Sequence, residues 1–219
     1  MLATFKENTD KIENKILNIG DGLIKSNELI LEALKDCDSE KFSQARSYIK
    51  NISSKTDDID NSIIKVLALY TPEARDLRKI VAYLKITNEL SRACSNTRSF
   101  IRGFSDVCSD VDMQTINEYA LPMQSSTVKA IKLTISMIKC DDEDEVQEIY
   151  NDALIEESKA DDLYEMVERN LTNQADDSRS FEKYHKMLRA LRKSGKVASR
   201  SISIANLLVY AKLGGSLRS

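Results

Sequence analysis

With 219 residues, only two prolines and six glycines, and 31% charged residues, the chain can bury one large core or two modest ones, and its make-up points to long helices joined by short turns. A formal net charge of -3 carries no global nucleic-acid signature, Met1–Lys15 lacks the apolar block of a secretory signal, and no apolar run approaches the roughly 20 residues of a membrane span. A soluble, cytoplasmic protein is expected, with Cys37, Cys94, Cys108 and Cys140 as free thiols in a reducing compartment, because none of them forms the close pairs that zinc sites use.

Ile12, Ile16, Ile19, Leu23, Ile30 and Leu34 step by three and four residues and so share one stripe of a first helix lasting to about Asp36. Ser39 and Glu40 are placed to start a second helix, whose buried side is marked by Ile49, Ile52, Ile59, Ile63, Val66 and Leu67. Thr71-Pro72-Glu73 is a start signal for a third, with Thr as cap, Pro at the first helical position and an acid in the positive first turn. That helix should run to about Gly103 through Leu77, Ile80, Leu84, Ile86 and Leu90. Three more helices are expected near 110–139, 142–171 and 178–212. The acids from Asp141 to Glu145 fit a helix's first turn better than a calcium loop, for which alternating ligands and a central Gly are missing. Gly214-Gly215 ends the last helix.

The second triplet of helices repeats the first. Ser54-Lys55-Thr56-Asp57-Asp58 returns as Ser158-Lys159-Ala160-Asp161-Asp162, an offset of 104 residues that also pairs Asp38 with Asp142, Arg75 with Arg179, Lys79 with Lys183, Ser95 with Ser199 and Ser99 with Ser203 without a gap. A period near 100 residues suits a small domain rather than a solenoid unit. The expected fold is all-α: two tandem antiparallel three-helix bundles, 1–105 and 106–219.

Thr71-Pro72-Glu73-Ala74-Arg75-Asp76-Leu77-Arg78-Lys79-Ile80 and the residues to Ile86 resemble the start of the third helix in the PhoU family of phosphate-uptake regulators, as do the helix order, the long repeat and the ending Ile204-Ala205-Asn206-Leu207-Leu208-Val209-Tyr210. The resemblance covers nearly the whole chain. It implies a cytoplasmic, non-enzymatic partner of phosphate-transport machinery, acting on uptake or on the associated signalling. It also implies a metal question, since family members typically carry Leu-Glu-Arg-Ile-Gly-Asp on the third helix of each bundle, and acidic pairs there and on the preceding helix hold metal in some of them. In this chain the matching stretches read Leu90-Ser91-Arg92-Ala93-Cys94-Ser95 and Ser194-Gly195-Lys196-Val197-Ala198-Ser199. Both carboxylates are missing from both copies. Asp57, Asp58 and Asp60 and, in the second copy, Glu157, Asp161 and Asp162 remain on the preceding helices, leaving Asp57 and Asp161 as weak metal candidates in half-sites that hard cations would not fill. No metal or other cofactor is therefore expected.

Ser91, Ser95 and Ser99, and in register with them Gly195, Ser199 and Ser203, form rows of small side chains that would let helices pack closely; a hydroxyl-lined face for an anion or a partner helix is the other reading. Basic stripes run through Arg75, Arg78, Lys79, Lys85 and Arg92 and through Arg189, Arg192, Lys193, Lys196 and Arg200. Such cations pair with acidic helices or hold phosphate and acidic partners through charge-assisted bonds, and Arg75, Arg78, Arg179 and Arg192 are the candidates for partner contact. Glu182-Lys183-Tyr184-His185 matches one Glu-x-x-His step of di-iron bundles, but His185 is the chain's one histidine, which also excludes histidine-based triads within the chain. The expected function is a non-enzymatic regulator of phosphate transport or signalling that works by contact with a transporter or signalling partner, with a homodimer as the expected assembly. A metal-binding helical bundle and a dimeric scaffold unrelated to phosphate are the alternatives.

Overall fold

The computed structural model describes residues 2–173 and 178–215, with side chains from 4–170 and 181–215. The described chain is helical, in the order α1 (Leu2–Ala33), α2 (Ser39–Tyr48), α3 (Ile52–Leu69), α4 (Ala74–Ser105), a 3-10 turn (Cys108–Asp110), α5 (Met113–Thr115), a π-helical turn (Ile116–Ala120), α6 (Leu121–Ser136), α7 (Glu143–Asn173) and α8 (Ser178–Leu213). The tandem bundle fold expected from the repeat is present: α1, α3 and α4 pack together, as do α6, α7 and α8.

Local chemistry accounts for the differences from expectation. The second helix is two, because Asn51 turns into the left-handed region (φ 56°, ψ 30°), which Asn tolerates better than most residues; the break lets Ile49 and Ile52 both point inward. Asp38, rather than Ser39, caps α2 by accepting hydrogen bonds from the Glu40 and Lys41 amides at 2.8 and 3.0 Å. Thr71 does not cap α4, which starts at Ala74 after Glu73. Before α6 the backbone loosens to a π turn, in which the Leu121 amide reaches back to the Ile116 carbonyl. Pro122 follows at once, and a proline has no amide for the carbonyl four residues back and crowds it. Leu67, Leu77 and Leu84 are 37%, 43% and 39% exposed; α4 turns Ile80, Tyr83, Ile86 and Leu90 inward instead. The acidic start of α7 is as read, with the Asp142 carboxylate accepting from the Glu145 amide at 2.9 Å, and Gly214 ends α8 at φ 85° with its amide on the Tyr210 carbonyl.

Across the two bundles, α1 meets its repeat mate α6 and α4 meets its repeat mate α8, each pair running antiparallel. On α4 and α8, Gly103 faces Ala190, Glu89 receives Arg200 at 3.0 Å, and the Arg78 guanidinium lies beside Gly214. On α1 and α6, Gly20 lies against Ile135, and Glu28 pairs at 2.6 Å with Lys132, its equivalent at the 104-residue offset. The arrangement is an approximate two-fold within one chain. Ala93, Cys94, Val197 and Ala198, all fully buried, occupy the middle of the α4–α8 seam, so close packing falls on them and not on the serine rows. Ser95 is exposed, and Ser199 half-buried.

Both hydrophobic clusters mix the repeats. One joins Ile16, Ile59 and Leu90 to Ile131, Ile204 and Leu208, and the other joins Ile30, Phe42 and Phe104 to Ile116, Met187 and Leu191. Polar groups are buried with partners where they meet: Asn27 donates to the Leu23 carbonyl and Thr97, Gln124 donates to the Asn27 side chain at 3.1 Å, and Ser194 donates to Gln124 at 2.7 Å while sharing a 3.0 Å bond with Thr127. This network ties α1, α4, α6 and α8 in their common interior, where each bond removed would leave an unsatisfied partner.

The cysteines depart from expectation. Cys37 and Cys108 form a disulfide, with Cα atoms 5.6 Å apart, while Cys94 and Cys140 are free. The turn after α1, where Cys37 has φ 55°, folds against the 3-10 turn that connects the repeats. The bond spans a sequence separation of 71 residues, and spacing alone could not show the approach. Burial pushes the Cys94 thiol up to about 12, which makes it inert.

Candidate functional site

The arginines singled out by sequence do not form one surface. Arg75 and Arg78 sit on the first turn and a half of α4, and because α8 runs antiparallel, Arg179 at its start belongs to the opposite end of the seam; the Arg179 side chain lies outside the described residues. Arg75 is exposed, and Arg78 is half-buried with its Nε enclosed and without a hydrogen-bond partner among the described residues. Arg192 is exposed on the side of α8 that faces Tyr164 of α7. Two cations of the stripes are held by intramolecular pairs, Lys79 with Glu13 at 3.0 Å and Arg200 with Glu89 at 3.0 Å. The Glu13 carboxylate also accepts from the Tyr83 hydroxyl, and Tyr83, buried and beside that carboxylate, is pushed far above the ordinary phenol range.

The two acidic half-sites take different forms. In the first repeat Asp57 is exposed, Asp58 pairs with Lys15 at 2.7 Å, and Asp60 accepts from the Thr87 hydroxyl at 2.8 Å. In the second repeat Glu157 and Asp161 stand one turn apart on α7 and face α8. There Ser199 donates to Glu157 at 3.0 Å, and Gly195 is enclosed by Met123 and Asp161, whose Cε and Oδ1 would lie 3.2 and 3.8 Å from a Cβ added there. Burial raises Glu157, with the Ser199 hydroxyl opposing and the Asp161 charge adding to the rise. Asp161 is raised by burial and by Asp162 and Glu165. A bound cation would require these oxygens to be strongly anionic and free. Instead one is engaged by a hydroxyl, and the helix opposite supplies a glycine and a serine in place of charge. Among the described residues, no group of three or more His, Cys, Asp or Glu side chains is placed to share a metal. The residues do not fit the metal centre that the resemblance implies.

Glu182 bonds Lys186 at 2.7 Å, and His185 stacks on Phe181 with ring centroids 5.8 Å apart, so the Glu-x-x-His step serves the helix surface. A feature that single-helix patterns could not reveal is a groove of about 830 Å³ between the end of α4 and the first half of α8. Its walls combine Arg102 with Lys183, Lys186, Arg189 and Lys193. The three-residue steps from Lys183 to Arg189 were visible in the sequence, but Arg102 joins them only through the antiparallel seam.

Residues 16–100 match the PhoU domain family. The phosphate-specific transport system accessory protein PhoU of Serratia marcescens is 24% identical over 222 residues, covering 98% of this chain and 86% of that protein. Among solved structures, PhoU from Pseudomonas aeruginosa superposes with a TM-score of 0.83 at 21% identity, over 96% of this chain and all of that one. The phosphate transport system regulatory protein PhoU from Streptococcus pneumoniae superposes at 0.79 and 16% identity, over 98% of this chain and 100% of that one. A PhoU domain match within the first repeat, a PhoU relative aligned along nearly the whole length and the helical fold of PhoU structures agree, and the chain is similar to PhoU proteins from end to end.

Proposed function

We propose that this protein is a non-enzymatic regulator of phosphate transport or phosphate signalling, built of two PhoU-like domains (1–105 and 106–219), that works by docking on a transporter or its signalling partner. Its relatives are named as accessory and regulatory proteins of phosphate transport. The observation that carries the docking reading is the outer face of α4, where Leu77 and Leu84 lie seven residues apart and 43% and 39% exposed. Seven residues is close to two helical turns, so the leucines share a face and offer apolar area that a partner would remove from water. The same face suits pairing with a second copy, and a homodimer is the assembly we propose. Among the described residues no helix is long and apolar enough to cross a membrane; the reading places the protein in the cytoplasm, at a membrane only through its partner.

The test reverses charge at Arg78 and Arg192 together, one in each repeat. Phosphate uptake in cells carrying the double variant should match uptake in cells lacking the protein, and capture of the transporter or signalling partner should fall while helicity is kept. Unchanged uptake and capture would rule these arginines out and turn attention to the acidic surfaces around Asp57 and Asp161.

A further inference from the structure

We propose that the groove between the end of α4 and the first half of α8 is a binding site for a small anion carrying several phosphate groups in line. The chain as a whole is acidic, at -3, yet the groove is lined by five cationic side chains against three carboxylates, Asp106, Asp110 and Glu182. Glu182 is taken up by Lys186 at 2.7 Å. Asp106 precedes the 3-10 turn and Asp110 ends it, and their charges fall on that same lysine. Among the described residues, Arg102, Arg189 and Lys193 have no carboxylate within ion-pair distance, and Lys183 lies over the Tyr184 ring at 5.2 Å. Three cations that reach across to another helix elsewhere on this molecule are paired singly, Lys79 with Glu13, Lys132 with Glu28 and Arg200 with Glu89. A set of cations gathered on one trench and left without internal partners implies a counter-charge from outside.

The shape narrows the ligand. Gly103 and Ala190 bring the two helices together at the floor, where even a Cβ on Gly103 would come to 3.4 Å from that of Ala190, so the long cationic side chains rise as walls on either side of a low seam. On α8 the cations recur at 183, 186, 189 and 193, a row of roughly 15 Å at the helical rise. A single orthophosphate would meet one or two of these charges. A linear chain of phosphates would meet them in succession, with Arg102 and Arg189 offering forked donors suited to phosphate oxygens. A free oligophosphate and the triphosphate of a nucleotide share this chemistry.

Isothermal titration of the full chain at 0.15 M salt with tripolyphosphate, ATP, pyrophosphate, orthophosphate and sulfate tests the proposal. Tripolyphosphate should bind one site per chain at least tenfold more tightly than orthophosphate or sulfate. The affinity should fall at least tenfold in Arg102→Gln/Arg189→Gln, a pair of surface changes that should leave the circular dichroism unaltered, and stay the same in Lys65→Gln on α3. ATP binding on a par with tripolyphosphate would identify the phosphate chain alone as the ligand, and tighter ATP binding would identify a nucleotide; both support the site. Absence of tripolyphosphate binding, affinity equal to that of sulfate, or affinity unchanged in the double variant would overturn it. Loss of partner capture by that variant without any anion binding would also overturn it and make the groove a protein contact. The transport reading stands or falls separately on Arg78 and Arg192.

Discussion

Glu157 is the carboxylate of the second acidic half-site with the most confined surroundings. It is half-buried beside Asp161 and receives one hydroxyl from Ser199, too little to offset burial, so its carboxyl is held above the ordinary range. A folded-state pKa above the unfolded one means that the fold takes up protons more readily than the unfolded chain. The associated stability is complete below the unfolded value, about 4, and is lost as pH rises through the folded one. Glu157→Gln keeps an acceptor for Ser199 and removes the charge. Its melting temperature should therefore exceed that of the parent at pH 7 and lose the advantage near pH 4. A variant less stable than the parent at pH 7 would show that Glu157 is held by a counter-charge instead.

At the scale of helices, the sharpest constraint is the meeting of α1 with the end of α2. A Cβ placed on Gly22 would come within 2.7 Å of the Tyr48 backbone oxygen, and a backbone atom cannot rotate away as the tip of a side chain can. Replacing a helical glycine by alanine ordinarily stabilises by about 0.5–1 kcal/mol. At Gly22 the overlap should cost about 1–3 kcal/mol and reverse the sign, so that Gly22→Ala melts roughly 2–4 °C lower for each kcal/mol of net loss. Gly103→Ala, with its nearest neighbour at 3.4 Å, should show no such loss. Equal melting temperatures for Gly22→Ala and the parent would mean that α2 can slide on α1. The break at Asn51 belongs to the same scale: it divides the second helix so that α2 lies over Ile30 and Phe104 while α3 lies over Ile16 and Leu90, in separate clusters.

For the molecule as a whole, the mixing of the two repeats in both clusters predicts that they unfold together. Calorimetry should give one transition with a van't Hoff enthalpy equal to the calorimetric one, and Gln124→Leu, which strands Asn27 and Ser194 in the interior, should lower that single transition by about 1–3 kcal/mol. Two resolved transitions would show that each repeat holds its own fold. The Cys37–Cys108 bond adds a covalent tie between the turn after α1 and the linker before the second repeat.

Much of the fold was legible in the sequence alone. Helical periodicity marked the stripe from Ile12 to Leu34, the acidic start of α7 and the glycine stop of α8, because each depends on residues within one or two turns of each other. The ungapped repeat, from Ser54 to Ser158 onward, and the small residues Ser91, Ser95, Gly195 and Ser199 at matching places in it were likewise readable in the chain alone. Tertiary structure decided what depends on pairing between distant segments: that repeat mates meet antiparallel about Ala93, Cys94, Val197 and Ala198, that Leu77 and Leu84 face outward, that Cys37 reaches Cys108, that Asn27 meets Gln124, and that Arg102 joins the cations of α8. A helix's own spacing fixes which residues share a face but not which neighbour that face will meet. That choice is made by the packing of the whole chain, where burial of apolar area and satisfaction of polar groups are settled jointly.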